Sequence, residues 1–85
     1  MPLRSIVREH LFEEGLAKLI PDAEEADEFV MAAEYVLARG PGAGMPVSAT
    51  GTVWRLPMMP MRGEQISLYY TFDSETVKFL AIGAF

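Results

Sequence analysis

The hydrophobic positions of this chain change their spacing near its middle. Up to about residue 39 they recur every three or four residues, which is typical of helices with one buried side. Beyond about residue 46 they alternate with polar positions, which is typical of strands in an antiparallel sheet. The pattern therefore predicts one α+β domain over residues 1–85, with the helices packed on the sheet.

Two helices are predicted in the first half. The first starts near Glu9 and ends before Pro21, because the residue preceding a proline disfavours the helical conformation. The second starts after Asp22, a suitable cap with Glu25 three positions later, and stops at Gly40. Its apolar stripe consists of Ala26, Phe29, Val30, Ala33, Val36 and Leu37. We expect the two helices to form an antiparallel hairpin around Pro21.

Three antiparallel strands are predicted in the second half, at residues 47–56, 65–72 and 76–82, with a bend near Gly51. Residues 3–8 fit either a short edge strand, which would make four, or the approach to the first helix. Alternation in the last strand puts Val77, Phe79 and Ala81 on one face, and Lys78, Leu80 and Ile82 on the other.

The net charge of −5 lies entirely in the first half of the chain. Residues 1–40 contain nine acids and four bases, whereas residues 41–85 contain three of each. Phosphate groups would be repelled by the first half and scarcely attracted by the second, which disfavours nucleic acid as the main partner.

Cysteine is absent, which excludes disulfides and thiolate metal sites. The terminal apolar run, Phe79–Phe85, is too short to cross a membrane, and charges at Arg4 and Arg8 interrupt any signal-peptide core. We therefore expect a cytoplasmic protein without membrane contact.

Three features could carry chemistry, and each has a simpler interpretation. The acids of residues 22–28 fan around a helix start instead of converging on a metal. His10 can pair with Glu13 or Glu14 along the first helix, and no nucleophile accompanies it. The glycines of residues 40–44 lack the lysine and hydroxyl of a phosphate-binding loop. We predict no metal site and no cofactor.

A methionine-rich loop is the strongest candidate for a binding surface. Met58, Met59 and Met61 lie among Pro57 and Pro60, which keep the segment out of a regular strand. Such a loop provides either an adaptable surface for a partner, together with Tyr69, or a cap over the core. Arg55, Arg62, Ser67 and Tyr69 could line a ligand face, or simply form the solvent face of the sheet.

The order of these elements resembles the RelE/ParE-like toxin superfamily of type II toxin–antitoxin systems, including its HigB-like branch. The matching positions extend from Leu11 to Ile82 and include Leu11-Phe12, Leu37, Pro41 and Gly44, Thr50-Gly51, Arg55-Leu56, Leu68-Tyr69-Tyr70 and Val77–Ile82. The resemblance implies a helix hairpin on a small antiparallel sheet and a small antitoxin as partner.

The differences from that family concern its ribonuclease chemistry. Ser67 stands where RNA-cleaving members carry an arginine, and the chain ends in Gly83-Ala84-Phe85 without a base. We therefore expect a toxin-type protein that acts through contacts with an antitoxin or a cellular target. One alternative is a weak ribosome-dependent mRNA endoribonuclease that uses Arg55, Arg62 and Tyr70. Another is an interaction domain that homodimerises through the methionine loop or a sheet edge.

Overall fold

The computed structural model describes residues 3–58 and 65–84. Two α-helices and five strands follow one another in this part of the chain, in the order β1 (Ser5–Arg8), α1 (His10–Leu19), α2 (Ala23–Arg39), β2 (Met45–Pro46), β3 (Trp54–Pro57), β4 (Ile66–Phe72) and β5 (Thr76–Ala84). A short 3-10 helix, Pro41–Ala43, links α2 to β2. The α+β class expected from the sequence is confirmed.

The strands form one mixed sheet in the order β1-β5-β4-β3-β2. β1 pairs with β5 in parallel, and the other neighbours are antiparallel. The expectation of three or four antiparallel strands is therefore wrong in number and in one direction. Residues 3–8 do contain a strand, but its pairing with β5 joins distant parts of the chain, which local alternation cannot reveal.

The segment predicted as one strand over residues 47–56 is instead the loop and second strand of a hairpin. β2 ends at Pro46 and β3 begins only at Trp54. Between them the Ser48 hydroxyl accepts hydrogen bonds from the amides of Thr52 and Val53, each at 3.1 Å. Gly51 has φ of +72°, which glycine adopts without strain. The predicted bend is thus a complete chain reversal.

Both helices begin and end close to their predicted limits. The Asp22 side chain accepts a hydrogen bond from the Glu25 amide at 3.0 Å, as the capping pattern requires. One position of the predicted stripe is wrong, since Val36 is 41% exposed. Ala38 is buried instead, where its carbonyl accepts the Arg4 amide at 3.2 Å.

The core lies between the helices and one face of the sheet. It consists of Phe12, Leu16 and Ile20 from the first helical segment, Phe29, Val30, Ala33 and Leu37 from α2, and Ile66, Leu68, Tyr70, Val77 and Phe79 from the sheet. Phe12 and Phe79 meet edge to face, with ring centroids 5.2 Å apart. The core-facing side chains of β4, Ile66, Leu68 and Tyr70, alternate as the sequence predicts, although Ser67 on the other face is also buried.

A β-bulge changes the face of the sheet to which the last side chains of β5 point. Tyr70 pairs with Phe79 but Tyr69 pairs with Ala81, which leaves Leu80 as the additional residue. Ile82 consequently returns to the helix side, where it packs against the core. A Cβ on Gly15 of α1 would lie 2.7 Å from Ile82 Cγ2. The predicted grouping of Ile82 with Lys78 is therefore wrong, because strict alternation cannot anticipate an inserted residue.

Candidate functional site

The face of the sheet opposite the helices, here called the open face, is the candidate site. Within residues 3–58 and 65–84, no helix or strand packs on it. Strand register arranges most of its residues in three rows: Pro57, Ser67 and Gly83; Met45, Arg55, Tyr69 and Ala81; and Thr71, Lys78 and Val7. The pair of Ser5 and Thr76 follows these rows next to the β4–β5 turn. Cross-strand neighbours in such rows lie about 5 Å apart at Cβ, so the rows form one continuous surface.

Arg55 is held in place on this face by a side-chain hydrogen bond. Its Nε donates to the Ser67 hydroxyl at 3.0 Å. Ser67 is 0% exposed, although it points away from the helices, and Arg55 is half-buried above it. A guanidinium that is already oriented loses less conformational entropy when it binds a carboxylate or a phosphate.

The open face is basic, in contrast with the rest of the molecule. Its charged side chains among the described residues are Arg55 and Lys78, and no carboxylate lies in the three rows. Apart from Glu9, which directly follows β1, the described acids lie on the helices, at the start of α2 or in the β4–β5 turn. Folding has therefore separated the charges of an acidic chain onto two sides.

Asp73 borders this face next to a shallow depression. The depression is lined by Thr71, Phe72, Asp73, Thr76 and Lys78. The Asp73 carboxylate accepts the amides of Glu75 and Thr76, each at 2.8 Å. These two hydrogen bonds, with weaker help from nearby cations, hold the pKa of Asp73 below its usual value. The carboxylate is thus engaged in forming the β4–β5 turn.

Tyr70, a catalytic candidate from the sequence, lies on the helix side of the sheet. Its hydroxyl donates to the Pro41 carbonyl at 2.5 Å and accepts the Gly44 amide at 3.1 Å. The side chain is 0% exposed, and this burial raises the pKa of the phenol. Arg55 and Tyr70 therefore lie on opposite faces, and the structure does not bring them to one substrate.

The methionine loop is described only in part. Met58 is half-buried against the core, with its amide bonded to the Ile66 carbonyl at 2.8 Å. Its own carbonyl accepts the Gln65 side-chain amide at 2.6 Å. Met59, Met61 and Arg62 lie outside the described residues. Of the two predicted partner-binding residues that the structure describes, Met58 and Tyr69, it is Tyr69 that lies on the open face.

No protein-family model matches the chain, and no curated protein matches it either. Neither α1 nor α2, the two helices in the described ranges, is long and apolar enough to cross a membrane. Residues 3–58 and 65–84 contain no group of three or more histidines and acids that could hold a metal.

Two of the features considered as possible sites in the sequence, His10 and the acids near Asp22, form common helix contacts in the structure. His10 Nε2 lies 2.9 Å from Glu14 Oε1 in a pair that spans one helical turn, and its side chain is 86% exposed. The acids around Asp22 cap and flank the start of α2. Both outcomes follow from helix geometry.

Sequence reasoning missed much of the open face. Alternation in β4 did identify Ser67, Tyr69 and Thr71 as one side of a strand. Val7 was missed because the strand that carries it has only four residues. Ala81 was assigned to the wrong side because the bulge at Leu80 is invisible to a simple period of two.

Proposed function

We propose that this chain is a cytoplasmic binding protein of the RelE/ParE-like toxin type. In this proposal it recognises a small antitoxin or a cellular target through the open face of its sheet. The observation that carries the proposal is a sheet whose helices cover one face alone in the described residues, while the other presents Tyr69, Thr71 and Val7 beside two bases.

The composition of this face suits a protein partner. Tyrosine and arginine are the residue types that contribute most to protein interfaces, and both occupy its central row. Val7 adds an apolar side chain that is 41% exposed. Lys78 provides a charge at the edge of these groups, where it would steer association with an acidic segment.

Ribonuclease chemistry has less support from the arrangement. Cleavage of RNA needs an acid and a base on one substrate, with positive charge near the developing phosphorane. The hydroxyl of Tyr70 is committed to the loop at Pro41 and Gly44, on the face away from Arg55. Binding through contacts therefore accounts better for the described residues than joint catalysis by this pair.

The test is co-expression of the full chain with any small protein encoded next to it. We expect the two proteins to co-purify as a discrete complex, and we expect the neighbour to relieve any growth defect caused by the chain alone. Lys78→Glu, combined with Tyr69→Ser, should weaken the complex at least about tenfold, because it replaces a base with an acid on the contact face.

Lys18→Glu is the matched control. It makes the same change of charge at an exposed position, but on α1 and away from the sheet. This variant should bind as the unchanged chain does. Equal weakening by both variants would show a general charge effect and contradict the proposed face. A discrete homodimer without the neighbour would instead favour self-association.

A further inference from the structure

A second surface lies on α2, on the side of the molecule away from the sheet. Met31 and Tyr35 are 69% and 63% exposed. They are one helical turn apart, and helix geometry puts both opposite the buried Ala33. They are thus central to the solvent side of the helix and not residues from the margin of its buried stripe.

The tyrosine is also fixed in position. The Arg39 guanidinium lies 3.8 Å from the centroid of the Tyr35 ring, and Arg39 Nη1 donates to the Tyr35 carbonyl at 3.0 Å. This stacking holds one face of the ring against the end of α2. An exposed aromatic side chain that is already ordered makes a good anchor, because little conformational entropy remains to be lost on binding.

Acidic side chains precede these two residues on the same side of α2. Glu24, Asp27 and Glu28 are exposed and lie one to two turns before Met31. None of the three forms a salt bridge within the described ranges. A ligand for this surface therefore needs apolar side chains for Met31 and Tyr35, and positive charge towards the start of the helix.

We propose that this ridge, defined by Glu24, Asp27, Glu28, Met31, Tyr35 and Arg39, docks a basic amphipathic helix of another protein. Apolar side chains spaced three and four residues apart would pack on Met31 and Tyr35. Lysine or arginine side chains of that helix would pair with the acids.

The α2 helix of a second copy fits the ridge poorly. Parallel pairing of two α2 helices would bring their acids together. Antiparallel pairing would offer a single base, Arg39, to the acids of the other copy, and that base already covers Tyr35. Charge complementarity thus selects a basic partner. The inference does not depend on the proposed function, because the ridge and the open face lie on opposite sides of the molecule.

The test uses a synthetic helical peptide with leucine on one side and lysine on the other, titrated into the isotope-labelled full chain. We expect the largest amide shift changes at Met31, Ala32, Tyr35 and Val36, and weaker binding at higher salt. A peptide with glutamate in place of lysine should not bind. Met31→Ser combined with Tyr35→Ser should lower the affinity about tenfold.

Leu11→Ser combined with Val47→Ser is the matched control, since it removes two exposed apolar side chains elsewhere. This control should bind the peptide normally, and circular dichroism should show both double variants folded. Absent binding, shift changes centred on the open face, or equal binding of the acidic peptide would overturn the inference. A homodimer abolished by the Met31 and Tyr35 changes would also overturn it.

Discussion

The two faces of the sheet are made by the same strands and differ in almost every property. On the helix side, Leu68, Tyr70 and Phe79 are 0% exposed and form the core. On the open side, Thr71 is half-buried and Lys78 is exposed. The contrast implies that stability depends on the first face, while the second can change its chemistry at little cost in stability.

The largest expected effect comes from comparing two adjacent residues of β5, Phe79 and Lys78. Phe79→Ala should lower the free energy of unfolding by about 3–5 kcal/mol, because it opens a cavity where the ring meets Phe12. Lys78→Ala, one residue earlier on the open face, should change it by less than about 0.5 kcal/mol. Chemical denaturation of both variants measures the difference, and similar losses would break the comparison.

The helix side also depends on a close backbone approach at Gly44. A Cβ there would lie 2.5 Å from the Arg55 carbonyl oxygen and 2.6 Å from the Tyr70 hydroxyl. Gly44→Ala should therefore destabilise by about 2 kcal/mol through overpacking. Gly42→Ala is the control, since a Cβ there meets nothing within 4 Å. An equal decrease in melting temperature for both variants would show that the backbone around Gly44 is not crowded.

The buried hydroxyl of Tyr70 contributes a smaller amount to the free energy of unfolding. Tyr70→Phe leaves the Pro41 carbonyl and the Gly44 amide without their partner, and should cost about 1–2 kcal/mol of unfolding free energy. Tyr35→Phe, on an exposed ring, should cost less than about 0.5 kcal/mol. Denaturation curves that rank the two variants the other way would contradict the assigned role.

The pH dependence of stability provides a second test of the buried Tyr70 phenol. Burial raises the pKa of Tyr70, so the folded state favours the neutral phenol. Its contribution is complete below the unfolded pKa of about 10 and is lost as pH rises through the folded value. The unchanged chain should lose stability above that pH more steeply than Tyr70→Phe, and parallel curves would argue against burial of the phenol.

The smallest expected effect concerns the part-buried hydrogen bond between Arg55 and Ser67 on the open face. Ser67→Ala removes the acceptor of the Arg55 side chain and should cost about 0.5–1 kcal/mol. Arg55→Ala with and without this change gives a double-mutant cycle whose coupling should be of similar size. A coupling of zero would mean that Ser67 does not position Arg55.

The sequence predicted those parts of the fold that depend on local pattern. The limits of α1 and α2 and the facing of β4 follow from periodicity, a proline and an aspartate cap. The parallel pairing of Ser5–Arg8 with β5 and the bulge at Leu80 depend on tertiary contacts, which no local period encodes. Alternation in β4 separated Tyr69 from Tyr70, but the position of Arg55 beside Tyr69 depends on the pairing of β3 with β4, which the sequence pattern does not give.

The open face as a binding surface is best tested by solvent relaxation. A soluble paramagnetic agent should attenuate the methyl signals of Val7, Thr71 and Ala81 in the free chain and spare those of Leu68 and Val77. Adding the co-purified neighbour should protect the first three signals and leave Met31 attenuated. If Val7, Thr71 and Ala81 stay attenuated in a stable complex, the partner binds elsewhere and the central claim is contradicted.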